Sequence, residues 1–401
     1  MDSHSTPLPE PGSPQFFASL YAHVSDATDV PVDKHVFTCL LFCLIARAHL
    51  PSGNHLLLRS QREELSHLRE MVVSILSDIF GLMTLHLRCR SDTSPDSLLS
   101  DLLSYSVSEG DGAGGPSNHS RKSSTGNSRA SSGTGRRQPG PLSHPGTGNF
   151  RSHSSSLRSR GGGPFGPLPQ ALVVTSLGRS THDTQECLWN VLRARSCVYN
   201  GTVHHLPDDL LVVVLNDIGD GRERPHVIPC LLDQFSFSSY VSIPNSFAQP
   251  QSTPSAPSSP VIPMHYLHRL KQHPLPSLDP FLANYMSNLL TAATQHPLLQ
   301  TLLVGNRARA AFKHFTAVST IMFCNEDGRR QTQHPTQEDI ARVYVHVLGH
   351  RVSIRNVGEG VLSILDRTLV ALPHDKSQVW RPGMKRGETV PQIMRDILVG
   401  V

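Results

Sequence analysis

The chain has 401 residues, 36 basic and 32 acidic side chains, and a formal net charge of +4. This length exceeds the usual size of one domain and is sufficient for one large or two modest hydrophobic cores. The longest apolar run, residues 36–50, contains Thr38, Arg47 and His49 and is too short to cross a bilayer, which argues against a membrane protein. The N-terminus lacks the basic and apolar segments of a signal peptide, which argues against secretion.

Seven cysteines are dispersed along the chain without Cys-x-x-Cys spacing. An odd and dispersed set is typical of buried thiols in a reducing compartment, so we expect an intracellular protein of the cytoplasm or nucleus. Cys39 and Cys43 would share one helix face, but no further ligands accompany them. His204 and His205 are adjacent, so they would face opposite sides of a strand. We therefore predict no metal site.

Three segments, residues 1–14, 106–169 and 244–263, lack the apolar side chains that a core requires. We expect disorder in the first two and a linker in the third, because too little apolar surface is available to offset the ordering entropy. Within the long insertion, residues 112–170 contain eight Arg or Lys side chains and no acidic one. Its serines and basic residues alternate, which suits phosphorylation or weak nucleic-acid contacts, although a solvated linker is the simpler interpretation.

The first ordered region, residues 15–105, shows helical and strand periodicities in turn. We predict two helices within residues 15–49 and a strand at 54–60. A long helix at 61–80, a strand at 81–89 and a short helix at 96–105 follow. Pro31 separates the first two helices. Ser60 and Glu63 form a capping-box pattern, in which each side chain bonds the backbone amide of the other at the start of the long helix.

Two near-continuous apolar runs, residues 171–175 and 210–215, have the length of buried strands. Between them lie an amphipathic helix at 183–195 and a hairpin at 198–207, whose turn contains Gly201. Strands that are apolar throughout indicate a parallel sheet covered by helices on both faces.

The C-terminal region has helical spacing in three segments, at residues 279–303, 307–324 and 336–351. Thr336 and Asp339 form a second capping-box-like pattern at the start of the last one. The tail, 356–401, offers a strand or helix at 360–372 and a short helix after Pro391.

This order of elements resembles an AAA+ nucleoside-triphosphatase core of the MoxR and magnesium-chelatase ATPase-subunit group. There, a strand with acidic metal ligands precedes a helix, a hairpin insert, a strand ending in a polar sensor and a Leu-Leu-Asp-Arg-Phe motif, to which residues 231–235 are similar. The resemblance covers about 50–100 and 170–355. It implies an α/β fold, in which a parallel sheet flanked by helices precedes a small all-α lid at 264–355, with the long disordered insertion within the sheet region.

The resemblance also implies a nucleotide site, whose essential residues differ here. No Gly-x-x-x-x-Gly-Lys-Ser/Thr loop exists in the chain, which leaves Arg59 and Arg62 as candidate phosphate contacts. Thr175 and Ser176 stand where the group has Asp and Glu, and hydroxyls supply neither a general base nor the charge that Mg²⁺ requires. Gln234 replaces the arginine that would reach a neighbouring subunit.

Two positions keep the residue types of the group. Asn216 matches the polar sensor of the terminal phosphate, although an Asn at a strand end is also a common turn former. Arg309, in preference to Arg307, aligns with the arginine of the lid that senses nucleotide. A solvated arginine at the start of a helix is the alternative interpretation.

The missing loop, acids and arginine together favour a non-hydrolysing scaffold or regulatory subunit, which would contact protein partners or itself through the hairpin and the lid. The resemblance alone implies an ATP-driven subunit that uses ATP and Mg²⁺, in the chelatase case to insert magnesium into a porphyrin. A third interpretation is a nucleic-acid adaptor that acts through the basic insertion.

Overall fold

The computed structural model describes residues 8–28, 31–50, 53–104, 168–219, 223–243, 259–301, 303–324, 334–355 and 389–401. Most of the disorder predicted for residues 1–14 and 106–169, most of the linker predicted at 244–263 and the element predicted at 360–372 lie outside these ranges; residues 8–14, 168–169 and 259–263 of those segments are described. Every element below belongs to one compact unit, formed by Met1–Tyr105 and Pro167–Val401. No helix in the described ranges is long and apolar enough to cross a membrane.

The elements alternate between helix and strand up to residue 240 and are mostly helical beyond it. The helices are α1 Phe16–Ala27, α2 Lys34–Ala46, α3 Leu65–Ser74, α4 Pro95–Ser104, α5 His182–Ala194, α6 Pro229–Leu232, α7 Met264–Gln272, α8 Pro280–Gln295, α9 Asn306–Met322, α10 Gln337–Leu348 and α11 Val390–Gly400. The strands are β1 His55–Ser60, β2 Thr84–Arg88, β3 Ala171–Thr175, β4 Ser196–Tyr199, β5 Thr202–His205, β6 Leu211–Asp217, β7 Phe235–Tyr240, β8 Leu299–Gln300 and β9 Ser353–Ile354.

Five strands form one sheet in the order β2-β3-β6-β1-β7, and every neighbouring pair is parallel. The predicted parallel sheet is therefore confirmed. The chain enters at β1, travels to the far edge at β2 and returns through β3 and β6 before crossing to β7. β1 and β7, which the sequence separates most widely among these strands, thus lie side by side, with β7 at one edge of the sheet.

Both faces of the sheet are covered, as its continuous apolar strands require. Leu56 and Leu58 point into the core beneath α2 and α3, whereas Leu57 points into the core beneath α4, α5 and α6. The strands β3 and β6 alternate in the same way, because successive side chains on a strand face opposite sides.

The C-terminal helices share the first of these cores with the sheet. Phe312 and Phe315 of α9, Tyr344 of α10 and Met394 of α11 belong to the same cluster of buried residues as Phe237 of β7. The predicted lid therefore packs on the sheet through continuous apolar contact. It is also not entirely helical, since β8 and β9 form a short antiparallel pair.

The capping box predicted at Ser60 and Glu63 is wrong. Ser60 is the last residue of β1, and α3 begins four residues later than predicted, at Leu65. The Ser60 hydroxyl lies 2.5 Å from Glu64 Oε2 and 2.7 Å from the carbonyl of Val241. Pairing of β1 in the sheet holds Ser60 in extended backbone, so it bonds across the turn instead of capping the helix.

Two other boundaries differ from the prediction, and α7 was not predicted as a helix. The helix predicted at 279–303 ends at Gln295, because the following residues pair as β8. The helix predicted at 61–80 becomes a π-helical turn at Ile75–Ile79. The predicted hairpin, the C-terminal helix after Pro391 and the capping box of α10 are confirmed; Thr336 and Asp339 bond each other's backbone amides.

Candidate functional site

Strands β1, β3, β6 and β7 end together at the carboxyl edge of the sheet, where open α/β sheets bind ligands. Arg59 of β1 pairs in register with Asn216 of β6 on one side and with Tyr240 of β7 on the other. Thr175 of β3 pairs with Leu215, one residue before Asn216. The fold therefore brings four of the predicted residues, Arg59, Thr175, Ser176 and Asn216, to one edge.

The connection from β1 to α3 is a tight turn, Gln61 to Glu64, without glycine. Glu64 occupies the end of α3 that would face a phosphate, and its carboxylate accepts from Ser60. A carboxylate at this positive helix end stabilises the helix and disfavours an anionic ligand. Arg62 is exposed in the same turn. The turn thus supplies no cradle of backbone amides for a triphosphate.

Arg59 is buried, with 4% of its surface exposed, and is engaged by its own chain. Its Nη1 donates to the Tyr240 hydroxyl at 2.8 Å, its Nη2 donates to the carbonyl of Ile218, and its guanidinium lies 5.0 Å from the centre of the Tyr240 ring. The cation–π contact and the hydrogen bonds hold this arginine in the sheet. A phosphate contact would require it to leave Tyr240.

Thr175 is the last residue of β3, and Ser176 follows it. The Thr175 hydroxyl lies 3.0 Å from His86 Nε2 and 3.4 Å from the Leu87 carbonyl, and among the described residues no carboxylate bonds to it. Burial, helped by the neighbouring Arg69 and Arg88, lowers the pKa of His86, which keeps this imidazole neutral. Ser176 has a left-handed backbone, with φ of 60°, which turns the chain away from the sheet edge.

Asn216 lies beneath the turn that follows β3. Its side chain is 5% exposed, and a Cβ added to Gly178 would stand 3.4 Å from both of its amide atoms and 3.1 Å from the carbonyl of His226. A side chain at position 178 would therefore touch Asn216 and press on the His226 carbonyl, which would have to shift by a few tenths of an ångström. The nearest ion pair at this edge, between Arg179 and Asp217, spans 3.8 Å and is about half exposed.

The described ranges contain no group of three or more His, Cys, Asp or Glu side chains that could hold a metal ion. The residues of this edge do not fit ATP with Mg²⁺ either. They supply no lysine, no glycine-rich loop and no pair of carboxylates, and the Arg59 guanidinium is bound to Tyr240 and Ile218.

Gln234 lies at the opposite, amino edge of the sheet. Its side chain is 3% exposed and packs against Gly53, so it does not project towards a neighbouring subunit. The adjacent Asp233 binds the buried Arg351, which follows α10, and lies 3.8 Å from Arg307 Nε. This part of the Leu-Leu-Asp-Gln-Phe segment therefore joins the sheet to the helical part of the molecule.

Arg309 is exposed on the first turns of α9. Its neighbour Arg307 lies beside Asp233 at the amino edge, whereas Asn216 lies at the carboxyl edge, a strand length of roughly 20 Å away. The structure therefore does not bring Arg309 and Asn216 together within one chain. His86 and Tyr240 could not be singled out from the sequence, because their partners Thr175 and Arg59 lie 89 and 181 residues away.

The chain is similar to known proteins in structure and not in sequence. No family model matches the sequence, and no curated protein matches it. A putative ATPase from Cytophaga hutchinsonii superposes with a TM-score of 0.55 and 13% identity, over 95% of this chain and 94% of that chain. A full-length MCM homolog from Methanopyrus kandleri gives a TM-score of 0.43 and 11% identity, over 82% of this chain and 58% of that chain.

The likeness to the first of these structures extends over nearly the whole of both chains, and at this identity it concerns the fold. It agrees with the parallel five-stranded sheet, its two helical layers and the C-terminal helices. The chain therefore has an AAA+-like α/β fold.

Proposed function

We propose that this chain is a degenerate AAA+-type module that does not hydrolyse nucleotide and acts as a scaffold or regulatory subunit. The observation that carries the proposal is the internal bonding of the carboxyl edge. Arg59 binds Tyr240, Ser60 binds Glu64 and Thr175 binds His86. These contacts use the side chains that a nucleotide would otherwise engage.

The chemistry of hydrolysis supports the same conclusion. Attack of water on a phosphoryl group requires a positioned base and a cation to neutralise the developing charge. The hydroxyls of Thr175 and Ser176 remain protonated at neutral pH, and Gln234 is neutral and buried. The three departures lie on three separate elements, so no single local rearrangement restores the site.

The alternative is an ATP-dependent subunit of the magnesium-chelatase type with an atypical nucleotide site. It is favoured by the convergence of Arg59 and Asn216 at the edge where α/β folds bind ligands. It requires release of Arg59 from Tyr240. It also requires Arg309 from a second copy, because within one chain Arg59 and Arg309 lie at opposite edges of the sheet.

The hairpin β4–β5 supports a role in protein contact. Val198 and Val203 pair across the hairpin and remain 63% and 53% exposed, an arrangement that leaves two adjacent apolar side chains in water. We propose that the hairpin, together with the helical part, contacts a protein partner or a second copy. The basic insertion, 112–168, is proposed to add at most weak contacts with nucleic acid.

The test is calorimetric titration and thermal melting of the full chain with ATP and Mg²⁺. We expect no heat of binding and no shift in melting temperature. A ligand at a concentration 100 times its dissociation constant would add about 2.7 kcal/mol of stability, which a melt resolves.

The variants Asn216→Ala and Arg309→Ala decide between the two functions, with Asn288→Ala on the exposed face of α8 as a matched control. A shift in wild-type melting temperature that is lost in these two variants and kept in the control would overturn the proposal. It would support the ATP-dependent alternative, and a turnover assay would follow.

A further inference from the structure

Strand β2 forms one edge of the five-stranded sheet, and among the described strands only β3 pairs with it. The Met83 carbonyl accepts from the Ala171 amide at 3.0 Å, and the Cys89 amide donates to the Thr175 carbonyl at 3.0 Å. These two bonds lie just before and just after β2. Because the peptide groups of successive strand residues point to opposite sides, the residues at odd positions between them also face β3.

The residues at even positions, Thr84, His86 and Arg88, direct their backbone N–H and C=O groups away from β3. No backbone hydrogen bond joins these groups to any residue that the structure describes. The outward side of these three residues is here called the β2 edge. Such a row of free donors and acceptors is a template on which one more strand can pair.

A groove of about 490 Å³ adjoins the β2 edge. Side chains from both faces of β2 line it, so the groove lies at the edge of the strand and not on one face; they are Leu85, His86, Leu87 and Arg88. Its other wall is α4, where Ser97 and Asp101 are four residues apart and share one helix face. The groove therefore has space beside the β2 edge, with a helix along it.

Positive charge is present in this groove. Arg88 and Arg90 are exposed, and neither guanidinium lies within salt-bridge distance of a carboxylate that the structure describes. Leu87 points into the core beneath α4, so His86 and Arg88 project from the opposite face of β2. Burial lowers the pKa of His86, and Arg69 and Arg88 add to this shift, so the charges that act on this imidazole are cations.

The two carboxylates that line the groove come from other elements. Asp101 belongs to α4, which covers the face of β2 opposite to Arg88, and Asp92 belongs to the turn before α4. Side chains of an added strand would alternate between the two faces. Acidic side chains at every second position would therefore lie beside Arg88, and the residues between them would lie beside α4.

Charge disfavours two other occupants of the β2 edge. A second copy of β2 would bring a second Arg88 and Arg90 to the same groove, and like charges across paired strands are destabilising. The insertion that follows α4 contains eight Arg or Lys side chains and no acidic one in residues 112–170. An acidic strand from a different protein has the complementary charge.

We propose that the β2 edge binds an extended acidic peptide of a partner protein by strand addition. The peptide backbone bonds Thr84, His86 and Arg88, and its acidic residues, at alternate positions, lie on the side of Arg88. In strand addition the main-chain bonds supply affinity and the alternate side chains supply specificity. This inference goes beyond the proposed scaffold role and does not depend on whether the chain hydrolyses nucleotide.

The probe is the peptide Thr-Glu-Val-Glu-Val-Thr, amidated and carrying a neutral fluorophore at its N-terminus, titrated with the full chain by fluorescence anisotropy. We expect a dissociation constant below about 1 mM. The counterpart with glutamine in place of both glutamates should bind about fivefold more weakly, because it cannot pair with the arginines. Arg88→Gln should weaken the acidic peptide about threefold, whereas Arg395→Gln, an exposed arginine on α11, should change it less than about 1.5-fold.

Backbone bonding is tested separately from charge. One peptide is N-methylated at both glutamates and another at both valines, and in a strand only one of these two rows of N–H groups faces β2. One methylated peptide should therefore bind at least about tenfold more weakly than the other.

A proline variant tests the place of binding. His86→Pro removes the N–H at the centre of the β2 edge, a position where edge strands tolerate proline. His86→Val loses the same imidazole and keeps the N–H, so the proline variant should bind the peptide about fivefold more weakly than the valine variant. Absence of binding up to about 5 mM chain, equal binding of the two methylated peptides, or equal effects of Arg88→Gln and Arg395→Gln would overturn the proposal. If His86→Pro does not fold, the methylated peptides and the arginine pair decide.

Discussion

Arg351 is a buried cation that joins the sheet to the C-terminal helices through hydrogen bonds. It has no exposed surface, and it donates to Asp233 Oδ1 and to the carbonyl oxygens of Asp233, Phe235 and Leu303. These acceptors lie in or beside the start of β7 and before α9. One side chain thus satisfies polar groups from both parts of the molecule, where burial makes an unpaired group costly.

Replacing Arg351 by Met should lower the free energy of unfolding by about 3 kcal/mol, because Asp233 and three carbonyl groups each lose a buried donor. The matched variant Arg307→Met removes a partly exposed arginine 3.8 Å from the same carboxylate and should cost less than about 1 kcal/mol. Urea unfolding measures both. Equal losses from the two variants would show that the buried bonds contribute nothing beyond surface charge.

His346 gives the fold a defined dependence on pH. Burial lowers its pKa from 6.5 to about 4; the Ser238 carbonyl, which accepts from Nδ1, opposes this shift, and the nearby His35 and Arg395 add to it. The unfolded chain therefore binds this proton at a higher pH than the folded chain does. Stability from the neutral imidazole is complete above pH 6.5 and is lost as the pH falls towards 4.

We expect the free energy of unfolding to fall by up to about 1.4 kcal/mol per pH unit for this group between pH 6.5 and 4. His346→Gln should remove that part of the slope. The buried His350, whose pKa burial also lowers, should still contribute in the variant. Urea midpoints at several pH values measure the slope, and an unchanged slope in His346→Gln would assign the dependence to other groups.

Among the elements, the starts of α3 and α10 look alike in sequence but differ in structure. Thr336 and Asp339 form a complete capping box at α10, whereas Ser60 is held in β1 and its hydroxyl bonds Glu64. The β1 ladder competes with the cap for the same residue, and the ladder wins because β1 is hydrogen-bonded to a strand on each side, β6 and β7.

Thr336→Ala should therefore destabilise the protein by about 1 kcal/mol, the usual value of an N-cap. Glu63→Ala, at the corresponding position of the box that does not form, should change stability by less than about 0.5 kcal/mol, since Glu63 is exposed. Thermal melts of the two variants are compared directly. A loss at Glu63 as large as that at Thr336 would mean that α3 is capped in solution after all.

At the scale of the whole molecule, the chain outside Ser106–Gly166 forms one compact unit. Replacing residues 106–166 by a Gly/Ser linker of about 12 residues should shift the melting temperature by no more than a few degrees, because long surface insertions contribute little to closure entropy. The same variant tests the insertion as a nucleic-acid contact. Salt-sensitive binding to single-stranded RNA or DNA, if the full chain shows it, should disappear.

A large drop in melting temperature would contradict this view and make the insertion part of the folded core. The matched control replaces residues 244–258, which lie outside the described ranges, by a shorter Gly/Ser linker. It measures the effect of linker replacement alone.

The two buried strands and the polar residues at their ends were predictable because their signals are local. The apolar runs at 171–175 and 210–215 gave buried parallel strands, and the order of elements placed Thr175, Ser176 and Asn216 at their ends. The helix α7 was not predicted. The end of α8 was placed too late, since the pairing of β8 with β9 joins residues more than fifty positions apart. Local periodicity contains no information about such a pairing.

The sequence by itself determined the alternation of strands and helices and the absence of a glycine-rich loop and its lysine, because each depends on neighbouring residues or on composition. Only the tertiary structure decided which polar side chains satisfy one another. Arg59 meets Tyr240 across 181 residues, Asp233 meets Arg351 across 118, and Thr175 meets His86 across 89. Burial compels each of these groups to find a partner, and the packing of strands and helices determines which partner is within reach.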